Sequence, residues 1–133
     1  MGIAENKQIV LSFYEAGARG DMDGCFALLA DDITWMNIGT TRFSGTYVGK
    51  QDLAENLLGP LFSKLKAGIS SQIEQLTAEG DIVVAQTSGT AETTDGVPYN
   101  NTYCQVITIR DGKFGAVTEY MDTALIDAVF GVE

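Results

Sequence analysis

Apolar residues recur at intervals of three and four from Glu5 to Arg19, where Ile9, Val10, Phe13, Tyr14 and Gly17 share one face; this spacing predicts an amphipathic helix with a single buried stripe. "GDMDG" interrupts it, and Asp21 or Asp23 can cap a second short helix that carries Phe26, Leu28 and Leu29 and stops near Ala30-Asp31-Asp32. The chain therefore opens as a helix hairpin. Residues 33–37, "ITWMN", form a β-branched and aromatic run that reads as a strand, and "TTRFSGTYVGK" adds turns and a short extended piece. A third helix is expected from Gln51 to Leu65, with Leu53, Leu57, Leu61 and Leu65 spaced at four and Pro60 kinking or restarting it.

Beyond that point the period changes. "ISSQIEQLTA", "DIVVAQTSGTAET", "NNTYCQVITIR" and "FGAVTEYMD" are extended runs, separated by "EGD", "TDGVP" and "RDGK", which are turn chemistry. The closing "TALIDAVFG" offers Leu125, Ile126, Val129 and Phe130 to a packed helical turn. No repeat, linker or low-complexity segment divides residues 1–133, so the reading is one domain. Helices followed by a run of hairpins make an α+β fold, with helices on one face of an antiparallel sheet. A curved sheet closed by helices encloses a cone-shaped cavity.

A chain of 133 residues is long enough for a core without a metal or disulfide staple. Eight Lys and Arg against eighteen Asp and Glu give a net charge of −10, which repels phosphate backbones and anionic membranes. Nucleic acid and membrane partners are therefore not expected. The cations are scattered, with only Lys64 and Lys66 near each other, so a small apolar or weakly polar molecule suits the chain better than an anion. The absence of histidine removes Ser-His-Asp and Cys-His systems, His-ligated zinc and the commonest general base. Proton chemistry falls to Glu, Asp, Tyr, Lys or Cys.

Cys25 and Cys104 are far apart in sequence and read as reduced thiols. No apolar run approaches a membrane span, and the N-terminal stretch has no signal-peptide pattern, which points to the cytoplasm. Asn6 stands where a myristoylation signal needs Ser or Thr, and the sequon Asn100-Asn101-Thr102 reads as chance. Asp21/Asp23 and Asp31-Asp32 read as caps and turns, so no metal site is expected; no nucleotide fingerprint appears, and no cofactor is expected.

The stretches "FYEAGARGDMDGCFALLADDITW", "FSGTYVGKQDL", "YNNTYCQVITIRDGK" and "VTEYMDTALI" span most of the chain. In content and order the chain resembles the nuclear transport factor 2-like superfamily, in the branch of ketosteroid isomerase and the SnoaL-like polyketide cyclases. The resemblance implies a cone-shaped α+β barrel with about three N-terminal helices on the concave face of the sheet, a pocket between them, and a homodimer. The superfamily hosts isomerases, cyclases, hydrolases and plain binding modules, so the site must decide the function. The ketosteroid isomerase pattern of an aspartate base with a tyrosine and a protonated aspartate falls here on Asn37, Phe13 and Gln105. Each departure removes acid-base character, and steroid isomerisation is not expected.

If Asn37 and Gln105 point into the cone, strand alternation brings Ile33 and Trp35 inward with the first, and Asn101, Tyr103, Ile107 and Ile109 with the second. By the same landmarks of the resemblance, the inward set on the last strand is Val117, Glu119 and Met121. The resemblance to SnoaL-like cyclases implies a carboxylate base at about the place of Glu119, and burial would raise its pKa toward neutrality. Tyr103, Asn37, Asn101 or Gln105 would donate to a developing enolate, and Trp35, Met121, Phe13 and Tyr14 would supply apolar walls. The same carboxylate could activate a water. Two readings stay open: a cofactor-independent isomerase, cyclase or hydrolase acting on a neutral carbonyl compound, and a non-catalytic binding or dimerisation module in which Glu119 is a satisfied buried acid. Asp122 is read as the cap of the final helical turn.

Overall fold

A computed structural model describes residues 2–133. The first helix, α1 (Ile3–Ala18), is followed by α2 (Met22–Ala27), which is capped by Asp21 accepting from the Gly24 amide at 2.8 Å. The expected second helix is thus shorter than its apolar content suggested. Leu29 and the acidic pair after it belong to β1 (Leu29–Asn37), because Leu29 is buried opposite Phe114 and the Phe114 amide donates to the Leu28 carbonyl at 2.8 Å. Asp31 and Asp32 face solvent there and pair with Lys50 at 3.4 Å and Arg110 at 2.8 Å.

After β2 (Gly45–Val48) comes a continuous helical rod made of α3 (Lys50–Asp52), a π-helical stretch (Leu53–Leu58) and α4 (Gly59–Phe62). Pro60 explains the widened turn. It has no N–H for the Asn56 carbonyl and its ring crowds that oxygen, while the Gly59 amide reaches back five residues to Ala54. Leu65, expected to close the helix, lies beyond it, buried and bridged to Thr93.

The remaining strands are β3 (Ser70–Glu79), β4 (Ile82–Thr90), β5 (Asn101–Arg110) and β6 (Lys113–Met121), and the chain ends in α5 (Thr123–Phe130). They form one curved, unclosed six-stranded sheet in the order β2-β1-β6-β5-β4-β3. Only the β1–β6 pair is parallel; hairpin turns make the rest antiparallel. Asp122 caps α5 as expected, accepting from the Leu125 amide at 3.2 Å.

Alternation along the strands sets the faces. Ile33, Trp35 and Asn37 of β1 and Asn101, Gln105, Ile107 and Ile109 of β5 are buried, whereas Thr102, Thr108 and Arg110 are exposed. The helices lie over the buried face. Asn6 ties α1 to the β3–β4 turn through the Gly80 carbonyl at 3.4 Å, and the Phe13 ring packs on Phe114 with centroids 4.7 Å apart. The wide end of the cone is filled less completely, and there the cavity opens.

Candidate functional site

A cavity of about 540 Å³ lies between the sheet, the α1–α2 pair, the π-helical stretch and α5. Among the described residues, Glu119 is the only charged one on its wall, and neither Lys nor Arg lines it. The position follows from register: Glu119 on β6 is flanked by Asn37 on β1 and Gln105 on β5, so three polar side chains stand in one row across three strands.

The row is bonded in one direction. The Tyr14 hydroxyl donates to Gln105 Oε1, and Gln105 Nε2 donates to Glu119 Oε2. Glu119 Oε1 accepts no hydrogen bond from the described residues, and the Glu119 side chain borders the cavity. Burial away from solvent pushes the Glu119 carboxyl up to about 7, against the opposing pull of the Gln105 amide. Some of the side chain remains accessible because it borders an open cavity, even though protein surrounds the carboxyl group. Burial and the nearby Glu119 charge hold the Tyr14 hydroxyl far above its ordinary range, so it stays a donor at physiological pH.

A second polar group lies beside the row. Tyr103 Oη donates to Tyr99 Oη at 3.1 Å, and Asn101 Nδ2 donates to the same oxygen at 3.0 Å. Two phenol protons serve one O–H···O bond, so one proton of the pair is unspent whichever way that bond runs. Both rings line the cavity, and burial raises the pKa of both hydroxyls. Gly89 makes room for this pair: a Cβ there would meet Tyr103 Cε2 at 2.9 Å and Ile69 Cγ2 at 2.8 Å.

Of the residues singled out from the sequence, Glu119, Tyr103, Asn37, Gln105, Trp35, Met121, Phe13 and Tyr14 all line the cavity. Asn101 does not. Its amide donates to Tyr99 and to the Asp122 carbonyl at 3.1 Å, and its oxygen accepts from the Thr102 and Asp122 amides at 2.8 and 3.1 Å. It fastens the end of β6 to β5 and has no capacity left for a ligand. Asn37 spends its oxygen on Trp35 Nε1 at 3.0 Å and one amide proton on the Phe43 carbonyl at 3.2 Å, which fixes the indole against the wall.

Gln105, expected as a donor to the enolate, has its side-chain oxygen on Tyr14 and donates from its nitrogen to Glu119. Tyr14, expected as an apolar wall, contributes its hydroxyl. Tyr99 and Thr87 were not singled out, although the β4–β5 register places Thr87 opposite Tyr103. Tyr99 lies in a loop, where strand parity gives no signal. Among the described residues no group of three or more His, Cys, Asp or Glu side chains could hold a metal ion, and no helix is long and apolar enough to cross a membrane.

The SnoaL-like domain family is matched over residues 10–117. No curated protein matches the chain significantly by sequence. Among solved structures, an NTF2-like protein of unknown function from Burkholderia pseudomallei superposes with a TM-score of 0.85 at 20% identity, covering 97% of this chain and 98% of that one. An NTF2-like protein from Burkholderia xenovorans gives 0.77 at 27% identity, covering 100% of this chain and 99% of that one. TerC, co-crystallised with polyporic acid, gives 0.80 at 22% identity, covering 92% of this chain and 98% of that one.

Proposed function

We propose, for a chain that belongs to the SnoaL-like domain family, a cofactor-independent isomerase or cyclase that acts on a neutral, largely apolar carbonyl compound with Glu119 as the base. The observation that carries this reading is a buried carboxylate that accepts one hydrogen bond at Oε2 and is the single charged side chain among the described residues of a largely apolar wall, where burial raises its pKa toward neutrality. Near neutral pH such a group both accepts and returns a proton, and general base catalysis of this kind contributes about 10²- to 10⁴-fold.

Glu119 Oε1 takes a proton from the carbon next to the carbonyl. The C–H electron pair becomes the enolate C=C bond, and the negative charge moves to the carbonyl oxygen. The unspent proton of the Tyr99–Tyr103 pair is the donor suited to that oxygen, and a buried donor aimed at developing charge is worth about 10²- to 10³-fold. Where a C=C bond is conjugated with the enolate, the dienolate recovers the proton from Glu119 at its far carbon, the double bond shifts and the carbonyl re-forms, giving an isomer. Where a second carbonyl of the same molecule is in reach, the α-carbon bonds to it, its C=O π pair becomes an alkoxide, and the Glu119 proton passes to that alkoxide, giving a ring.

Gln105 serves both halves of the cycle. With Glu119 ionised, its amide nitrogen faces the carboxylate; with Glu119 protonated, a half-turn lets its oxygen accept from the acid and its nitrogen donate to Tyr14, whose hydroxyl can bond Thr87.

The test is hydrogen–deuterium exchange at the α-carbon of phenylacetone, followed by NMR. Exchange accelerated by the wild type and abolished in Glu119→Gln supports the reading, and equal rates for the two proteins defeat it. The second reading, a non-catalytic binding module, draws support from the run of hydrogen bonds from Tyr14 through Gln105 to Glu119 Oε2, which holds the carboxylate in place. Phenylacetone bound equally by both proteins, with no exchange in either, would favour it.

A further inference from the structure

The wall of the cavity has a sign. Among the described residues, eight aromatic ones border it, Phe13, Tyr14, Trp35 and Tyr103 included, together with one carboxylate and no cation. Elsewhere in the protein, cationic side chains are held on the outside. Arg42 donates to the Phe130 carbonyl at 2.6 Å, and Arg19, Lys50, Lys66 and Arg110 pair with Asp21, Asp31, Glu92 and Asp32. The carboxylate inside is thus without a counter-ion, although Oε1 is free to meet one. Ring faces carry negative charge density and attract cations, best in a desolvated site. An apolar ammonium ion would bring both the missing charge and the surface that such walls prefer, whereas a ligand that arrives as an anion would face the Glu119 charge and the ring faces with the Tyr99–Tyr103 hydroxyl as its one phenol donor.

From this geometry we infer that the cavity binds apolar ammonium ions, the substituted amines that are protonated at neutral pH, with Glu119 as their counter-ion and the aromatic walls as their cage. The inference rests on the cavity and its single charge, and it holds whether or not Glu119 performs chemistry. It also fixes the proton balance. Where Glu119 is protonated, an incoming ammonium ion displaces that proton to solvent, and the acid becomes a carboxylate paired with the ligand. Where Glu119 is already ionised, no proton is released. The groups facing Glu119 are Tyr14 from α1, Asn37 from β1, and Tyr103 and Gln105 from β5, with Tyr99 from the loop before β5. Of these only the tyrosines titrate, and burial raises all three above their ordinary range. The pH dependence therefore belongs to Glu119 alone.

The experiment is calorimetric titration of the full chain with three probes of similar apolar body: N,N-dimethylbenzylamine, phenylacetone and phenylacetate. The expected result at pH 8 is binding of the amine at least about tenfold tighter than phenylacetone, with phenylacetate weakest. Below pH 7 the amine affinity should fall by up to about tenfold per pH unit, with about one proton released per amine in buffers of different ionisation enthalpy. Glu119→Gln should lose about tenfold or more for the amine and keep its affinity for phenylacetone, which shows that the cavity is intact. The inference is overturned if the amine binds no tighter than phenylacetone, if Glu119→Gln binds the amine as well as the wild type, or if none of the probes binds. Deuterium exchange of phenylacetone reads the catalytic proposal separately, so either can fail while the other stands.

Discussion

Gln105 and Glu119 stand directly opposite each other on β5 and β6, and the side-chain amide of the first donates to the carboxylate of the second. The amide partly offsets what burial imposes, leaving the acid near 7. Substitutions along this line should therefore act on proton affinity before they act on the fold.

Glu119 itself links pH to stability. Its pKa is raised in the folded state from 4.5 to about 7, so the folded protein holds this proton more tightly than the unfolded chain. The resulting stabilisation is full below about pH 4.5 and is lost as pH rises through about 7, a difference of about 3 kcal/mol at most. Urea denaturation of wild type and Glu119→Gln at pH 4 and pH 8 should show the variant gaining on the wild type at the higher pH. A stability difference independent of pH would refute this assignment.

Tyr14→Phe removes the donor that polarises the Gln105 amide. The bond to Glu119 should weaken, and the carboxyl midpoint, followed by NMR, should rise by a fraction of a pH unit. The buried amide oxygen loses its partner at a cost of about 1 kcal/mol or more. An unchanged midpoint would mean that Tyr14 serves only as packing.

Gly89→Ala should be disruptive without any backbone strain. The new methyl would press on Tyr103 and Ile69, and overpacking of this kind costs about 1–3 kcal/mol. Displacement of Tyr103 should also weaken phenylacetone binding. A variant with wild-type stability and affinity would show that the ring moves aside freely.

Asp122→Ala should destabilise by about 1 kcal/mol through loss of the α5 cap, while Asp122→Asn should be nearly neutral. Because α5 carries Ile126 to the cavity wall, ligand affinity should fall in the alanine variant and be retained in the asparagine one. Equal denaturation midpoints for the two variants would remove the cap from the account.

Most of the fold was readable because the signals were local and periodic: the stripe of α1, the alternation of β5 and β6 and the Asp122 cap all appear where residue spacing put them. The inward aim of Asn37, Gln105 and Glu119 came from the family resemblance, and alternation carried it along each strand. The errors have tertiary causes. Leu29 was assigned to a helix because nothing local announces its place opposite Phe114. The π-helical turn before Pro60 keeps a spacing of four looking like an ordinary helix. Asn101 shares a face with Gln105, but its hydrogen bonds go to Asp122 and Tyr99, and spacing does not reveal how a side chain spends its donors. Tyr99 was missed because it lies in the loop before β5.

The parallel pairing of β1 with β6 implies an order of assembly. Gln105 and Glu119 are 14 residues apart on strands joined by a tight turn, so their bond can form early with the hairpin. Asn37 reaches the same row only when β1, from the far end of the chain, docks along β6, and closing so long a loop is entropically costly and slow. Before β1 docks, one flank of the row is missing, and the carboxylate is expected to be better solvated and to hold its proton less tightly. The perturbed titration of Glu119 is therefore expected to appear late in refolding, with the docking of β1 along β6.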